Sequence, residues 1–158
     1  MKKFAFTLQS VLDIKRALEK QHMGELADCN ARIRLFEERR AAAAEREHTQ
    51  HEEFRRQLED GISPAELSLW RNANLTARDR LAYETEVLEQ AEGERLRIEK
   101  KLVNLMRERK ILEKLREKQW EAYREEERRA AALELSEFMG HSVFNEESEG
   151  IANASYGS

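Results

Sequence analysis

The side chains best suited to bind a metal ion lie close together in the sequence, at Glu45, His48, His51 and Glu52. Glu45 and His48 form an E-x-x-H step, and residues three apart can share one face of a helix. Di-iron helical bundles need this motif twice, together with carboxylates from other helices. Glu19 and His22 repeat the step, but on one helix the 26 residues between the two copies would separate them by about 39 Å, too far to share a metal ion. We therefore interpret these residues as a solvated helix face and predict no metal site.

Residues for other catalytic chemistry are poorly represented in the sequence. We find no glycine-rich phosphate loop, no Walker motif and no nucleophile elbow. The one cysteine, Cys29, cannot form an internal disulfide, which suits the cytosol. Its spacing from neighbouring apolar residues places it on a buried stripe. We predict that the protein is not an enzyme, has no catalytic residues and needs no cofactor.

The composition predicts which elements hold these side chains. Ala, Glu, Lys, Leu and Arg supply 93 of the 158 residues, a proportion typical of long helices and coiled coils. One proline and six glycines are too few to punctuate a sheet protein. The sequence therefore predicts an all-α protein and argues against a βαβ enzyme fold.

Helix-ending and helix-starting residues divide the chain into two long helices. Gly61 can end the first, and Ser63, Pro64 and Glu66 have the spacing of a capping box that starts the second. We predict helices over about 4–58 and 64–139, joined by a turn at 59–63. A connection this short returns the chain beside itself. Residues 1–139 should therefore form an antiparallel coiled-coil hairpin, followed by a disordered tail over 140–158.

A heptad pattern predicts which face of the second helix is buried. Apolar residues recur in steps of three and four from Leu67 to Tyr123, with polar residues at several core positions. Arg40, Glu47 and His51 likewise interrupt the stripe on the first helix. Because the second helix is longer, we expect it to extend beyond the first from about residue 115. Trp120 and Tyr123 should then lie on an unpaired helix.

Charge is strongly patterned along the second helix. Residues 84–94 contain five acidic and no basic residues, whereas residues 95–118 contain ten basic and four acidic ones. The surplus positive charge can pair with Glu19 or Asp28 of the first helix, or with the acidic surface of a partner. A formal net charge of −4 and the lack of aromatic residues inside this basic band argue against nucleic acid as the partner.

Two segments resemble the flagellar export protein FliJ family. The first is the run FAFTLQSVLDIK from Phe4 to Lys15, with its alternating phenylalanines and a leucine. The second is the run RKILEKLREK from Arg109 to Lys118, followed by Tyr123 and acidic residues. The resemblance covers about residues 1–139. It implies a non-enzymatic antiparallel coiled coil of the flagellar type III protein export apparatus, which serves motility and chemotaxis.

This resemblance also implies partners and contact surfaces. The joined ends of the hairpin would engage the hexameric export ATPase, through Phe4, Phe6, Leu8, Arg109, Lys110 and Lys114. Residues of the region 64–83 would contact the membrane protein of the export gate, with Trp70, Leu75 and Arg78 as the exposed candidates. Export chaperones would be further partners. The implied location is cytoplasmic, peripheral at the inner membrane below the flagellum, with the free protein a monomer.

The sequence leaves two alternatives, a close rival and a protein of a different class. The equivalent stalk of a virulence type III secretion system has the same helical periodicity, although the Phe4-x-Phe6-x-Leu8 opening favours the flagellar protein. A generic coiled coil would instead dimerise through the unpaired end of its second helix.

Overall fold

The computed structural model describes the backbone of residues 3–154 and the side chains of residues 3–142. It contains two α-helices, α1 (Gln9–Asp60) and α2 (Pro64–Ala154), and the described residues include no β-strand. The predicted all-α class is therefore confirmed. The chain divides into two compact units, one of residues 14–108 and one formed by the residues up to Asp13 and from Arg109 onward. We describe each unit separately.

The turn between the helices has the predicted chemistry. Gly61 adopts a positive φ of 85°, the left-handed conformation that glycine tolerates after a helix. The Glu66 amide donates a hydrogen bond to Ser63 Oγ at 3.2 Å, and the Ser63 amide donates one to Glu66 Oε2 at 3.0 Å. These two reciprocal bonds form the capping box and fix the start of α2 at Pro64.

In the unit of residues 14–108, α1 and α2 pack antiparallel. As the chain advances along α1, its contacts move backward along α2. Ordered along α1, the pairs are Lys15–Glu108, Arg32–Glu94, Arg40–Thr85 and Phe54–Trp70. This order shows a single continuous register, as the short turn predicts.

The apolar centre of this unit lies in the seam between the helices. Cys29 and Ile33 of α1 are buried against Ala91 and Ile98 of α2, with Leu26, Phe36 and Leu88 packed around them. The Cys29 thiol lies 3.5 Å from the carbonyl oxygen of Ala91. The heptad pattern thus identified the buried face of both helices, and it placed Cys29 correctly.

The first helix begins later than predicted, at Gln9 rather than at about residue 4. The carbonyl of Phe6 accepts a hydrogen bond from the Gln9 amide at 3.0 Å, which closes a turn just before the helix. The residues before this turn are not helical, and Phe4 is half-buried while Phe6 is buried. The spacing of two between these phenylalanines is that of an extended strand, not of a helix.

The second helix ends later than predicted. It runs through Gly140 to Ala154, whereas the sequence predicted its end near Met139. A glycine within a helix costs about 1 kcal/mol relative to alanine, which weakens a helix without ending it. No proline follows, because the only one in the chain is Pro64. Of the predicted disordered tail, residues 155–158 lie outside the described residues.

Candidate partner-binding surfaces

An aromatic cluster joins the N-terminal segment to α2 within the unit that contains both chain ends. The ring of Phe4 lies 5.0 Å from Trp120 and 5.6 Å from Tyr123, and the rings of Trp120 and Tyr123 stack at 5.6 Å. Phe6 is only 7% exposed and Leu12 is fully buried in the same unit. These contacts tie the segment before α1 to α2.

The prediction that Trp120 and Tyr123 lie on an unpaired helix is therefore wrong. An extended segment advances about 3.3 Å per residue, whereas a helix advances about 1.5 Å. The non-helical residues before Gln9 consequently reach farther along α2 than a helix would. Trp120 remains partly exposed beside Phe4, so one side of its ring stays available to solvent.

The basic residues predicted for this unit differ in their surroundings. Arg109 is half-buried and donates a hydrogen bond to Glu113 at 2.9 Å. Lys110 and Lys114 are exposed, and no ion pair to either is found among the described side chains. The charge of Arg109 is thus engaged within α2, whereas those of Lys110 and Lys114 face solvent.

The hydroxyl of Tyr123 donates a hydrogen bond to Glu127 at 3.0 Å. Partial burial raises the pKa of Tyr123 above its ordinary value of 10.0, and the bond to the Glu127 carboxylate raises it further. Burial disfavours the phenolate, and a neighbouring negative charge repels it. Tyr123 therefore stays protonated, and its hydrogen bond to Glu127 fixes the position of its ring in the aromatic cluster.

Farther along α2, large apolar side chains lie exposed. Leu135, Phe138 and Met139 recur at helical spacing, and Leu133 is exposed as well.

The apolar residues predicted to contact the ATPase differ in their exposure. Phe4 and Phe6 pack internally, and only Leu8 is exposed. Phe4 and Phe6 thus hold the N-terminal segment, and Leu8 is the apolar side chain of this set that reaches solvent.

The residues predicted to face the export gate lie near the start of α2, in the other unit. The ring of Trp70 stacks on Phe54 of α1, with centroids 6.4 Å apart and planes 15° from parallel. Trp70 is therefore half-buried, and the prediction that it is exposed is wrong because the ring belongs to the seam. Its contact with the gate stays a prediction. Leu75 and Arg78 are exposed, as predicted.

Sequence reasoning missed two exposed residues of this region. Leu69 is 70% exposed, and Tyr83 is exposed with the Arg80 guanidinium 5.6 Å from its ring centre. They lie two heptads apart, outside the seam positions that the pattern assigned to the interior. The sequence did contain a signal for both residues: they are large and apolar, yet they lie outside the heptad positions that form the seam.

Nothing in the described part of the chain forms a metal centre, since no group of three or more His, Cys, Asp and Glu side chains comes together there. His48 and His51 are both exposed on α1. Across the described residues, neither helix contains a stretch long and apolar enough to cross a membrane.

Comparison with known proteins identifies one family. The profile described as Flagellar FliJ protein matches residues 4–148. No curated protein and no solved structure matches the chain. The match covers the turn, all of α1, α2 up to residue 148 and the aromatic cluster described above. FliJ proteins are non-catalytic coiled-coil components of flagellar protein export, and this chain belongs to that family.

Proposed function

We propose that this chain is a stalk that engages the ring of the flagellar export ATPase and links it to the export gate and to export chaperones. Family membership supports the setting in flagellar export. The observation that carries the proposal is the closed aromatic cluster of Phe4, Trp120 and Tyr123. It tethers the N-terminal segment to the same stretch of α2 that presents exposed cations and apolar side chains.

Contact with the ATPase rests on Lys110 and Lys114, and Leu8 is an exposed apolar side chain of the same unit. Their exposed ammonium groups suit acidic loops of a ring pore, and such charges contribute more to association rate than to affinity. Phe4 and Phe6 act indirectly, because their rings hold the segment in place. Arg109 contributes through its bond to Glu113 and positions the helix surface.

The test is stimulation of the purified export ATPase from the same organism. We expect Lys110→Glu with Lys114→Glu to reduce stimulation severalfold, and raised salt to reduce that of the wild-type protein. The matched control is Arg34→Glu with Arg46→Glu, which reverses two exposed charges on α1. Equal stimulation by both double variants would remove these lysines from the contact, and no stimulation by wild type would contradict the stalk function.

We further propose that the gate protein binds the exposed face near the start of α2. Leu75 is exposed at the centre of that face, with Arg78 and Tyr83 exposed on either side of it around the helix, whereas Trp70 lies in the seam. Tyr83→Ala with Leu75→Ala should weaken binding of the gate protein's cytoplasmic linker roughly tenfold, since buried aromatic and aliphatic anchors dominate interfaces. Leu35→Ala, an exposed leucine on α1, is the control.

Because the gate protein lies in the inner membrane, we also propose a location at its cytoplasmic face, at the flagellar base. Nothing in the geometry singles out the residues that bind chaperones. A monomer when free fits the proposal, because the seam of α1 and α2 is satisfied within one chain. Light scattering tests this directly, and a stable dimer at micromolar concentration would favour the generic coiled coil.

A further inference from the structure

A second exposed surface lies on α2, within the unit of residues 14–108 and outside the seam. Leu96 is 52% exposed and Val103 is 45% exposed, one heptad apart. Together with Glu99, Lys100, Asn104 and Arg107 they line one shallow groove along the helix. Ile98 and Leu102, which lie between them or next to them in sequence, are buried in the seam on another face of the helix. Leu96 and Val103 therefore do not help to hold α1 against α2.

The charge that lines this groove is positive. Lys100 and Arg107 are exposed, and neither makes an ion pair with any side chain that the structure describes. Glu99, the one acidic residue of the groove, lies 3.7 Å from Arg95 and is thereby partly neutralised. Other charged residues of this unit do pair across the seam, as Arg32 does with Glu94. Two cations beside two apolar side chains thus remain unmatched.

The charge of the adjacent surface of α2 limits how far an acidic partner can extend along the helix. Toward the turn, the charged residues that line the next groove on α2 are three glutamates and one arginine, a net negative set: Glu86, Glu89, Glu94 and Arg97. A strongly acidic partner would be repelled there, so its acidic part must end near Leu96. Leu96 and Val103 lie about 10 Å apart along the axis, a spacing that matches successive heptads of another helix.

We propose that this groove, centred on Leu96 and Val103, docks a short amphipathic acidic helix of another protein. Two apolar residues of the partner, one heptad apart, pack on Leu96 and Val103. Carboxylates flanking them face Lys100 and Arg107, which accounts for the uncompensated charge of these two residues. The inference goes beyond the proposed function, since it involves neither the lysines assigned to the ATPase nor the face assigned to the gate.

The experiment places a photo-crosslinking amino acid at residue 103 of the full chain, expressed in cells of the organism from which it comes. The crosslinked partner peptide is then sequenced by mass spectrometry. We expect a peptide with apolar residues one heptad apart and an excess of carboxylates. The same amino acid at residue 35, an exposed position on α1, should not capture that peptide.

Charge reversal tests the electrostatic part. Lys100→Glu with Arg107→Glu should lower the crosslinking yield at least roughly fivefold, because matched charges become repulsive. Arg34→Glu with Arg46→Glu should leave it unchanged. Circular dichroism verifies that helicity is retained, and Lys100→Gln with Arg107→Gln replaces the reversal if it is not. ATPase stimulation should persist in these groove variants, so failure of the ATPase proposal stays distinguishable.

Three results would overturn the proposal. They are the absence of any adduct at residue 103, an adduct with a second copy of this chain, and an adduct with a peptide lacking the acidic residues. A yield that is insensitive to reversal at Lys100 and Arg107 would equally exclude an acidic partner.

Discussion

The ring of Phe4 meets the ring of Trp120 edge on, with centroids 5.0 Å apart and planes at 70°. Edge-to-face packing is a favourable arrangement for two aromatic rings, and Tyr123 adds a second ring at 5.6 Å from Phe4. The N-terminal segment is thereby joined to α2. The position of the N-terminal segment depends on these rings, since the segment itself is not helical.

Phe4→Ala should release this segment. Two aromatic pairs are lost, which corresponds to about 1–3 kcal/mol of local stability. In a Trp70→Phe background, Trp120 is the only indole, and its fluorescence should shift to longer wavelength as water reaches the ring. Phe138→Ala is the control, because Phe138 is already highly exposed. An unchanged Trp120 spectrum in Phe4→Ala would show that the ring contact does not hold the segment.

The sequence was most informative where one local rule acts alone. The capping box at Ser63 and Glu66 follows from spacing and was found as predicted. The buried faces followed from the heptads, because a two-helix seam has one period. The start of α1 was missed because Phe4 and Phe6 have the spacing of an extended segment, and Trp120, which packs on Phe4, is distant in sequence.

Trp70 shows that the exposure of individual site residues was harder to predict from the sequence than the fold. Its position in the heptad predicts a place in the seam, whereas the family resemblance suggested an exposed contact. The stacking on Phe54 shows that periodicity was the better guide. Exposure of Leu69 and Tyr83 follows from the same rule applied in reverse, since both fall outside the heptad positions.

Stability of the unit of residues 14–108 should depend on Ile33 and hardly at all on Leu35. Ile33 is buried in the apolar cluster with Cys29 and Ile98, so Ile33→Ala should cost about 2–4 kcal/mol by removing contacts and leaving a cavity. Leu35 is exposed on the same helix, and Leu35→Ala should cost less than about 0.5 kcal/mol. Urea denaturation followed by circular dichroism measures both, and similar losses would contradict the assignment of the seam.

A buried carboxylate gives a different kind of prediction. Glu84 is 2% exposed, and its carboxylate lies 2.6 Å from the Arg80 guanidinium, which is largely exposed. Arg80→Ala would leave this carboxylate buried without its cation, a change that should destabilise the protein by about 1–3 kcal/mol. Glu84→Leu removes the charge itself and should be close to neutral or stabilising.

The double variant completes this cycle. In the Glu84→Leu background, Arg80→Ala should cost almost nothing, because no buried carboxylate remains to be paired. Denaturation of the four proteins gives the coupling free energy between the two residues. Additive effects would show that Arg80 stabilises the helix independently, through its contact with the Tyr83 ring.

Titration of Tyr123 reports on the aromatic cluster in solution. Its pKa in the folded protein is raised above 10.0, first by burial and then by the bond to Glu127. The unfolded chain therefore loses this proton at a lower pH than the folded protein does. The stabilisation from Tyr123 should be complete below about pH 10 and should be lost as the pH rises through the folded pKa.

The phenolate absorbance of wild type minus that of Tyr123→Phe isolates this group from the other two tyrosines in the chain. Phe4→Ala should lower the pKa of Tyr123 toward its ordinary value, because it removes a ring that excludes water from the phenol. Glu127→Gln should lower it as well, because it removes the charge that opposes the phenolate. Burial is the larger cause, so an unshifted Tyr123 in the wild-type protein would mean that Phe4 does not cover it in solution.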